Sequence, residues 1–325
     1  MNNTLALAAS VACGTGKNLI SKKGGEAFRG VKNSSAVNLV TSVIAVAITA
    51  IFALSSSGKI AVAVSAKTFA LAAAFAVFTF SAQACFIRAT ECGEVSAASL
   101  LYAYGFLLPT IFGTIFYREK IGALRIIGIV LVAASAFISN AGGKKASDET
   151  NPERGKNRRT EFIVFAVAAS LSSGGVGIVQ KVFRCSEFSD YSEFFLILAF
   201  SFLAVLSAST FAICVIREKI RRRNLPESPC TDDKNTAVPH EKKAGIAYFL
   251  VCSSVLGVFV GVANNLNLYL SGALKSAVTF PVTNGGTIAL SAVGSALFFR
   301  EKLGFNRVAG IILGIVAIVL IARGG

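Results

Sequence analysis

Long stretches without a charged residue recur along the chain, separated by segments that contain Lys and Arg. A helix of about 20 mostly apolar residues spans the hydrocarbon core of a bilayer. The clear stretches of about that length are residues 33–58, 68–87, 95–117, 126–143, 162–180, 194–216, 244–274 and 276–299. Two weaker stretches, residues 3–21 and 304–322, each carry one cation near an end, from which a long side chain can reach the interface. The pattern predicts ten transmembrane helices.

The same stretches are rich in Gly, Ala and Ser and lack the alternation of apolar and polar residues that a membrane β-barrel shows. Backbone groups inside a bilayer need partners within the protein, so the spans must be helical. Apolar residues make up 54% of the chain and charged residues 15%, a composition typical of membrane proteins. We therefore predict an all-α, multi-pass integral membrane protein of the cell membrane.

An internal repeat divides the chain. Residues 108–131 align with residues 290–313 at an offset of 182, and ten positions are identical. The alignment predicts a first repeat over 1–141, a polar linker over 142–160 and a second repeat over 161–325 with a polar loop at 218–243. Each repeat has five predicted helices, and an odd number of crossings makes the second copy enter the membrane from the opposite side. The prediction is two inverted five-helix repeats.

A short motif marks the same turn in both repeats, reading FYREKIG at 116–122 and FFREKLG at 298–304. Its charged residues are Arg118, Glu119, Lys120, Arg300, Glu301 and Lys302. The sequence REK also ends another span at 217–219, so the triad alone is ordinary helix-end charge. We expect the aromatic pair at the interface and the charges in the headgroup layer.

Two inverted halves, each with an aromatic pair, a Glu-containing turn and a Gly-rich last helix, resemble the drug/metabolite transporter superfamily and, within it, the EamA-like permeases. Glu119 and Glu301 match the glutamates of that family's turns, although R-E-K replaces the commoner G-E-x. The resemblance implies a secondary carrier of small polar metabolites such as amino acids, working by alternating access around a central cavity. It implies no enzyme activity and no cofactor. The implied partners are a small-molecule substrate and the lipid bilayer, for a monomer or homodimer.

The net charge of +15 is informative only through the positions of the charged residues along the chain. Of the 32 Lys and Arg residues, 23 lie in the odd-numbered connections between predicted spans, so nucleic-acid binding is not predicted. The excess of cations in cytoplasmic loops would put these connections in the cytoplasm and both termini outside. The resemblance implies both termini inside, and the orientation stays open.

Polar side chains inside apolar spans are candidates for the substrate-binding site, because each costs free energy unless it meets a partner. The candidates are Lys17, Gln83, Tyr102, Tyr104, Asn264, Asn267, Thr283 and Asn284. Asn264 and Asn267 are three apart and share a helix face. The alternative is that these amides only join helices to one another. Lys17 could attract a substrate carboxylate or simply extend to the interface.

A helix break is predicted in the span 276–299. Pro281 lacks a backbone donor, and Gly285 and Gly286 follow it closely. Such a break would free carbonyl groups to face a cavity, with Thr283 and Asn284 beside them. The alternative is a kink that only shapes packing.

No catalytic or metal-binding residues are predicted. No Asp or Glu lies deep within a span, which argues against proton-coupled export of cations and favours a neutral or zwitterionic cargo. One alternative is a translocase of lipid or polyprenyl phosphate, whose groove would need the cations Lys17, Arg88, Lys181 and Lys275. Another is a membrane-embedded, lipid-modifying enzyme, for which Glu91 and Glu94 form the only suitable pair.

Overall fold

The protein is helical throughout the part that the structure, a computed structural model, describes. The described residues are 2–24, 28, 30–57, 62, 65–92, 95–119, 121–140, 152–224, 239–299 and 305–323. The helices are α1 (Asn3–Gly24), α2 (Val31–Ser57), α3 (Ala66–Cys92), α4 (Val95–Ala103), α5 (Leu107–Phe116), α6 (Ala123–Asn140), α7 (Pro152–Arg184), α8 (Ser192–Asn224), α9 (Pro239–Ala273), α10 (Ser276–Phe299) and α11 (Phe305–Arg323). The all-helical prediction is confirmed.

Within the described residues, five helical segments are long and apolar enough to cross a membrane. They are Val31–Ser55, Ala66–Cys92, Arg159–Arg184, Ser189–Arg221 and Gly245–Ala273. Shorter apolar helical segments are Leu101–Phe116, Ala123–Ser135 and Val308–Ile321.

Polar stretches that the sequence assigned to connections are partly helical. The helix α7 already begins at Pro152, inside the predicted linker, and α8 continues to Asn224 inside the predicted loop. The rest of these two connections lies mostly outside the described residues, which omit 141–151 and 225–238. Charged residues therefore lengthen the apolar helices at their ends.

The predicted span 95–117 is not one uniform helix. A 3-10 turn, Tyr104–Phe106, separates α4 from α5. A side chain on Gly105 would begin only 2.7 Å from the backbone oxygen of Ser170 in α7. The absence of a Cβ at Gly105 thus allows the two backbones to approach closely.

Helices of the first repeat pack mainly against helices of the second. The helix α1 lies against α9 and α10, α2 against α8 and α9, α3 against α7 and α8, and α6 against α11. The largest apolar cluster lies where α3, α7 and α8 meet. Phe75 packs edge-on against Phe195 and Phe200, and Phe183 stacks on Phe195 with ring centroids 4.1 Å apart. The repeats are therefore interleaved rather than two separate bundles.

Contacts between helix termini define two ends of the molecule. At the first, which we call the Glu119 end, α5, α7 and α9 finish and α10 begins, and the Lys181 amine contacts the Leu274 carbonyl there. At the second, the Lys32 end, Lys32 at the start of α2 pairs with Glu218 near the end of α8. The candidate site is described relative to these two ends.

Candidate functional site

Three asparagines on α9 donate or accept hydrogen bonds toward three different helices. The amide oxygen of Asn264 accepts a 3.2 Å bond from Gln180 of α7. The amide nitrogen of Asn265 donates to the Thr49 hydroxyl of α2 at 2.9 Å. The amide oxygen of Asn267 accepts a 2.6 Å bond from the Ser10 hydroxyl of α1. The structure therefore brings α1 and α7, the first helices of the two repeats, together on one polar face of α9.

The polar face continues toward the Glu119 end through Gln180 and Ser271. Gln180 is buried, and its backbone oxygen accepts a 3.4 Å bond from the Ser271 hydroxyl. The next residue of α7, Lys181, donates to the Ser271 carbonyl at 3.0 Å. A row of polar contacts thus runs along the contact between α7 and α9 to the end of both helices.

An ion pair ends this row. The Lys181 amine lies 2.7 Å from a Glu119 carboxylate oxygen, and the two side chains are only 6% and 10% exposed. The Tyr117 ring lies under the same amine, 5.9 Å from it, within the range of a cation–π contact. Because Glu119 belongs to the first repeat and Lys181 to the second, the pair ties the two repeats together.

Glu119 also caps α10. Its second carboxylate oxygen accepts a 2.7 Å bond from the backbone N–H of Ser276, the first residue of that helix. A negative charge at a helix N-terminus is stabilised by the unpaired N–H groups and by the helix dipole. The chain reaches this position through Arg118, whose φ of 48° turns the backbone after α5. One carboxylate therefore joins the ends of α5, α7 and α10.

This position adds a contact that the repeated motif alone did not indicate. Of the triad in the first repeat, Arg118 is exposed, whereas Glu119 is nearly buried inside the protein. The sequence around Glu119 does not indicate its burial, because its partner Lys181 lies 62 positions away. Lys120 and the second triad, Arg300, Glu301 and Lys302, lie outside the described residues.

The predicted helix break is wrong. The helix α10 is continuous from Ser276 to Phe299 with Pro281 inside it. A side chain on Gly285 would begin 3.0 Å from Val132 of α6, and one on Gly286 would begin 2.9 Å from Val11 of α1. These glycines therefore serve close packing and do not loosen the helix.

The two polar residues beside Pro281 bond to their own helix. The Thr283 hydroxyl donates to the Thr279 carbonyl at 2.7 Å, and the Asn284 amide donates to the Phe280 carbonyl at 2.9 Å. Thr283 is buried and Asn284 is exposed. Neither side chain belongs to the polar face of α9.

The remaining candidates are dispersed. Lys17 is exposed on α1, and Gln83 is half-buried on α3. Tyr102 packs edge-on against Phe86, and the Tyr104 hydroxyl donates to the Ala133 carbonyl at 3.0 Å. The structure does not bring these four side chains into one cluster with Asn264.

Sequence reasoning missed Gln180, Ser10 and Ser276 as members of the site and considered Lys181 only as a cation of a lipid groove. A role in a lipid groove fits poorly with the structure, because the Lys181 amine already pairs with the Glu119 carboxylate and donates to the Ser271 carbonyl. One signal was available: Gln180 and Lys181 are adjacent polar residues at the end of an apolar span.

Metal chemistry finds no support in the part of the chain that the structure describes. No group of three or more His, Cys, Asp or Glu side chains is arranged there to hold a metal ion.

Comparisons with known proteins decide the family. The sequence model of the EamA-like transporter family matches residues 3–141 and, a second time, residues 161–323. The chain belongs to the EamA-like transporter family. The two matches correspond to the two sequence repeats, so the EamA architecture of two like halves accounts for almost the whole chain. The protein is therefore a multi-pass membrane transporter of the drug/metabolite transporter superfamily.

A solved crystal structure supports the fold of this EamA-like chain. It aligns with a TM-score of 0.65 over 98% of this chain and 95% of the other, at 13% sequence identity. At that identity the likeness concerns the fold alone. A comparison with curated proteins gives no match.

Proposed function

We propose that this EamA-like protein is a secondary carrier that moves small polar metabolites, amino acids among them, across the cell membrane by alternating access. All ten hydrophobic segments would span the membrane, and the two repeats would be inverted. The observation that carries the proposal is the polar face of α9, which lies between α1 and α7 and bonds to both. A ligand bound there would contact both repeats at once, as alternating access requires.

The chemistry of this face favours a neutral or zwitterionic ligand. An amide offers two donors and an acceptor, and neither Asn264 nor Gln180 carries a charge. The amide nitrogen of Asn264 donates one bond to the Val260 carbonyl, and its second hydrogen has no acceptor among the described residues. The charged pair at the Glu119 end is already neutralised internally. Orientation of the ligand would therefore depend on amides and hydroxyls, chiefly those of Asn264, Asn267 and Ser10.

The Glu119–Lys181 pair supports the access part of the proposal. It joins the ends of α5, α7 and α10, and in the proposed cycle it would close the molecule there. Access from the Glu119 end would require these helices to separate. The matching turn of the second repeat would close the opposite end in the other state, because the two turns are related by the repeat.

Uptake of radiolabelled amino acids into proteoliposomes tests the proposal. We expect saturable uptake above that of protein-free vesicles for at least one neutral amino acid, and about tenfold less uptake for Asn264→Ala. The matched control is Asn18→Ala, which removes another amide bond between helices, the 3.0 Å bond from Asn18 of α1 to Ser291 of α10. Equal loss in both variants would mean that the Asn264 amide only joins helices. Absence of flux across a broad panel would contradict the proposed function.

A further inference from the structure

The Lys32 end of the molecule is strongly basic. Three helices have charged terminal segments there, because α7 and α9 begin at this end and α8 finishes at it. These segments comprise residues 152–159, 217–224 and 239–244, which hold 11 Lys and Arg against three Glu. Clusters of cations beside a membrane-spanning helix attract anionic lipid headgroups. This end of the protein therefore attracts anions from the adjoining bilayer surface.

A groove opens at this end beside the ion pair of Lys32 and Glu218. It is lined by Lys32 from α2 and by Val215, Glu218 and Lys219 from α8, and its volume is about 280 Å³. A water molecule occupies about 30 Å³ of liquid, so the groove has room for a group of several heavy atoms. It lies where the apolar spans of α2 and α8 both end. In a bilayer this is the depth of the lipid headgroups.

The groove has one positive charge in excess. Lys32 and Glu218 are 2.6 Å apart, and their side chains are 43% and 39% exposed, so a ligand can reach both. Lys219 is exposed beside them, as are Arg217 and Arg221 on the same turns of α8. Lys is a common ligand of phosphate groups, and a phosphodiester carries one negative charge. A phosphodiester would therefore neutralise the excess charge of the groove.

Apolar side chains beside these cations favour a lipid over a soluble phosphate. Ile216 and Ile220 are 56% and 52% exposed, and because they are four residues apart they share a face of α8. Val215, which lines the groove, is also exposed. A soluble phosphate or an acidic protein would leave these side chains without apolar contacts. A phospholipid offers acyl chains to the isoleucines and a phosphate to the lysines.

We propose that the groove between the start of α2 and the end of α8 binds the headgroup of an anionic phospholipid. Lys32 and Lys219 contact its phosphate, and its acyl chains lie along Val215 and Ile216. Glu218 weakens the site, because its carboxylate pairs with Lys32 and repels the phosphate. The lipid is a bound component of the surrounding bilayer and not the transported molecule, so the inference stands apart from the proposed transport function.

The absence of Trp from the chain allows a direct test. Val215→Trp places a single fluorophore in the groove, and Ile216→Trp is a second version if the first folds poorly. The protein is reconstituted into mixed bilayers of phosphatidylglycerol and phosphatidylcholine, in which one of the two lipids carries bromine on its acyl chains and quenches Trp on contact. We expect phosphatidylglycerol to be preferred about fivefold or more at the groove.

Substitutions at the ion pair separate recognition of charge from a structural effect. Lys32→Gln and Glu218→Gln both remove the ion pair, but the first removes a cation from the groove and the second removes the anion. The preference for phosphatidylglycerol should fall about fivefold with Lys32→Gln or Lys219→Gln, and it should rise with Glu218→Gln. A fall of equal size in Lys32→Gln and Glu218→Gln would overturn the proposal.

Two controls test whether the preference belongs to the groove. A reporter at Val130→Trp, 61% exposed on α6, should show no preference between the two lipids. Lys67→Gln should leave the preference at the groove unchanged, because Lys67 is exposed on α3 about 30 Å along that helix from Ile87, which lies near the start of α2. An equal preference at Val130→Trp, or an equal effect of Lys67→Gln, would mean general attraction to an anionic bilayer and would overturn the specific site. Displacement of the lipid by millimolar glycerol 3-phosphate would also contradict it, since the ligand would then be a soluble phosphate.

Discussion

Glu119 and Lys181 form a buried bridge between the two repeats. Their charged atoms lie 2.7 Å apart, and the same carboxylate accepts a bond from the first N–H of α10. The Lys181 amine in turn donates to the Ser271 carbonyl of α9. A single pair of side chains therefore connects the end of α5 with α7, α9 and α10.

Breaking this pair should destabilise the protein strongly. Lys181→Met leaves the Glu119 carboxylate buried without its cation, and Glu119→Gln leaves the amine buried without its anion. Removing one partner of a buried ion pair costs about 3–5 kcal/mol. The double variant should lose less than the two single losses together, which thermal unfolding of the purified protein in detergent would measure as a coupling free energy.

The exposed pair of Lys32 and Glu218 provides the matched control. Its side chains are 43% and 39% exposed, and an exposed pair contributes about 0–1 kcal/mol. Lys32→Met should therefore lower the unfolding temperature far less than Lys181→Met. Equal losses at the two sites, or additive losses in the double variant, would show that the Glu119–Lys181 pair is not specially important.

Loss of the pair should also open the Glu119 end. Ser271 is fully buried there, so Ser271→Cys in a background without other cysteines should react slowly with a membrane-impermeant thiol reagent. Adding Glu119→Gln should raise its reaction rate several-fold, since the ends of α7, α9 and α10 are no longer tied. Ser253→Cys, equally buried on the same helix but distant from the pair, should keep its rate. A parallel rise at both positions would indicate general loosening instead.

Local pattern predicted the helices well and their contacts poorly. The span 276–299 coincides with α10 because charges bound it on both sides. Pro281 suggested a helix break that the structure does not show. Gly285 and Gly286 lie against Val132 and Val11. Both valines are far away in the sequence, so the residues around Pro281 do not reveal these contacts. The role of Glu119 was missed for the same reason: the pairing with Lys181 exists only in three dimensions.

The polar face of α9 was predictable in part. The cluster of Asn264 and Asn267 was visible, because amides are rare and costly in an apolar span. Their partners were not visible, since Ser10 lies 257 positions away from Asn267. Sequence alone could therefore name a face but not the helices that meet it.

Close approach of the 3-10 turn to α7 should depend on a glycine. A side chain on Gly174 would begin 2.6 Å from the backbone oxygen of Gly105, which cannot move aside easily. Gly174→Ala should destabilise the protein by about 1–3 kcal/mol. At Gly245, in α9, a side chain would meet no atom within 4 Å, so Gly245→Ala should be neutral or stabilising by about 1 kcal/mol. Thermal unfolding of both variants measures the difference, and similar results would contradict the packing argument.

The inverted arrangement predicts that corresponding turns lie on opposite sides of the membrane. Arg118 follows α5, and Asn306 lies in the first turn of α11; both are exposed. Single-cysteine variants Arg118→Cys and Asn306→Cys, in a background without other cysteines, should react with an impermeant reagent from opposite faces of sealed vesicles. Reaction of both from one face would exclude an inverted repeat. The same experiment assigns the orientation that charge and family resemblance leave open.

Counterflow tests the central claim, carriage by alternating access, most directly. Proteoliposomes preloaded with unlabelled substrate should take up the labelled compound faster than empty ones, because a carrier returns more rapidly when loaded. Asn264→Ala should abolish this acceleration while the folded protein is retained. Uptake that is absent, or that is unaffected by preloading, would contradict the account.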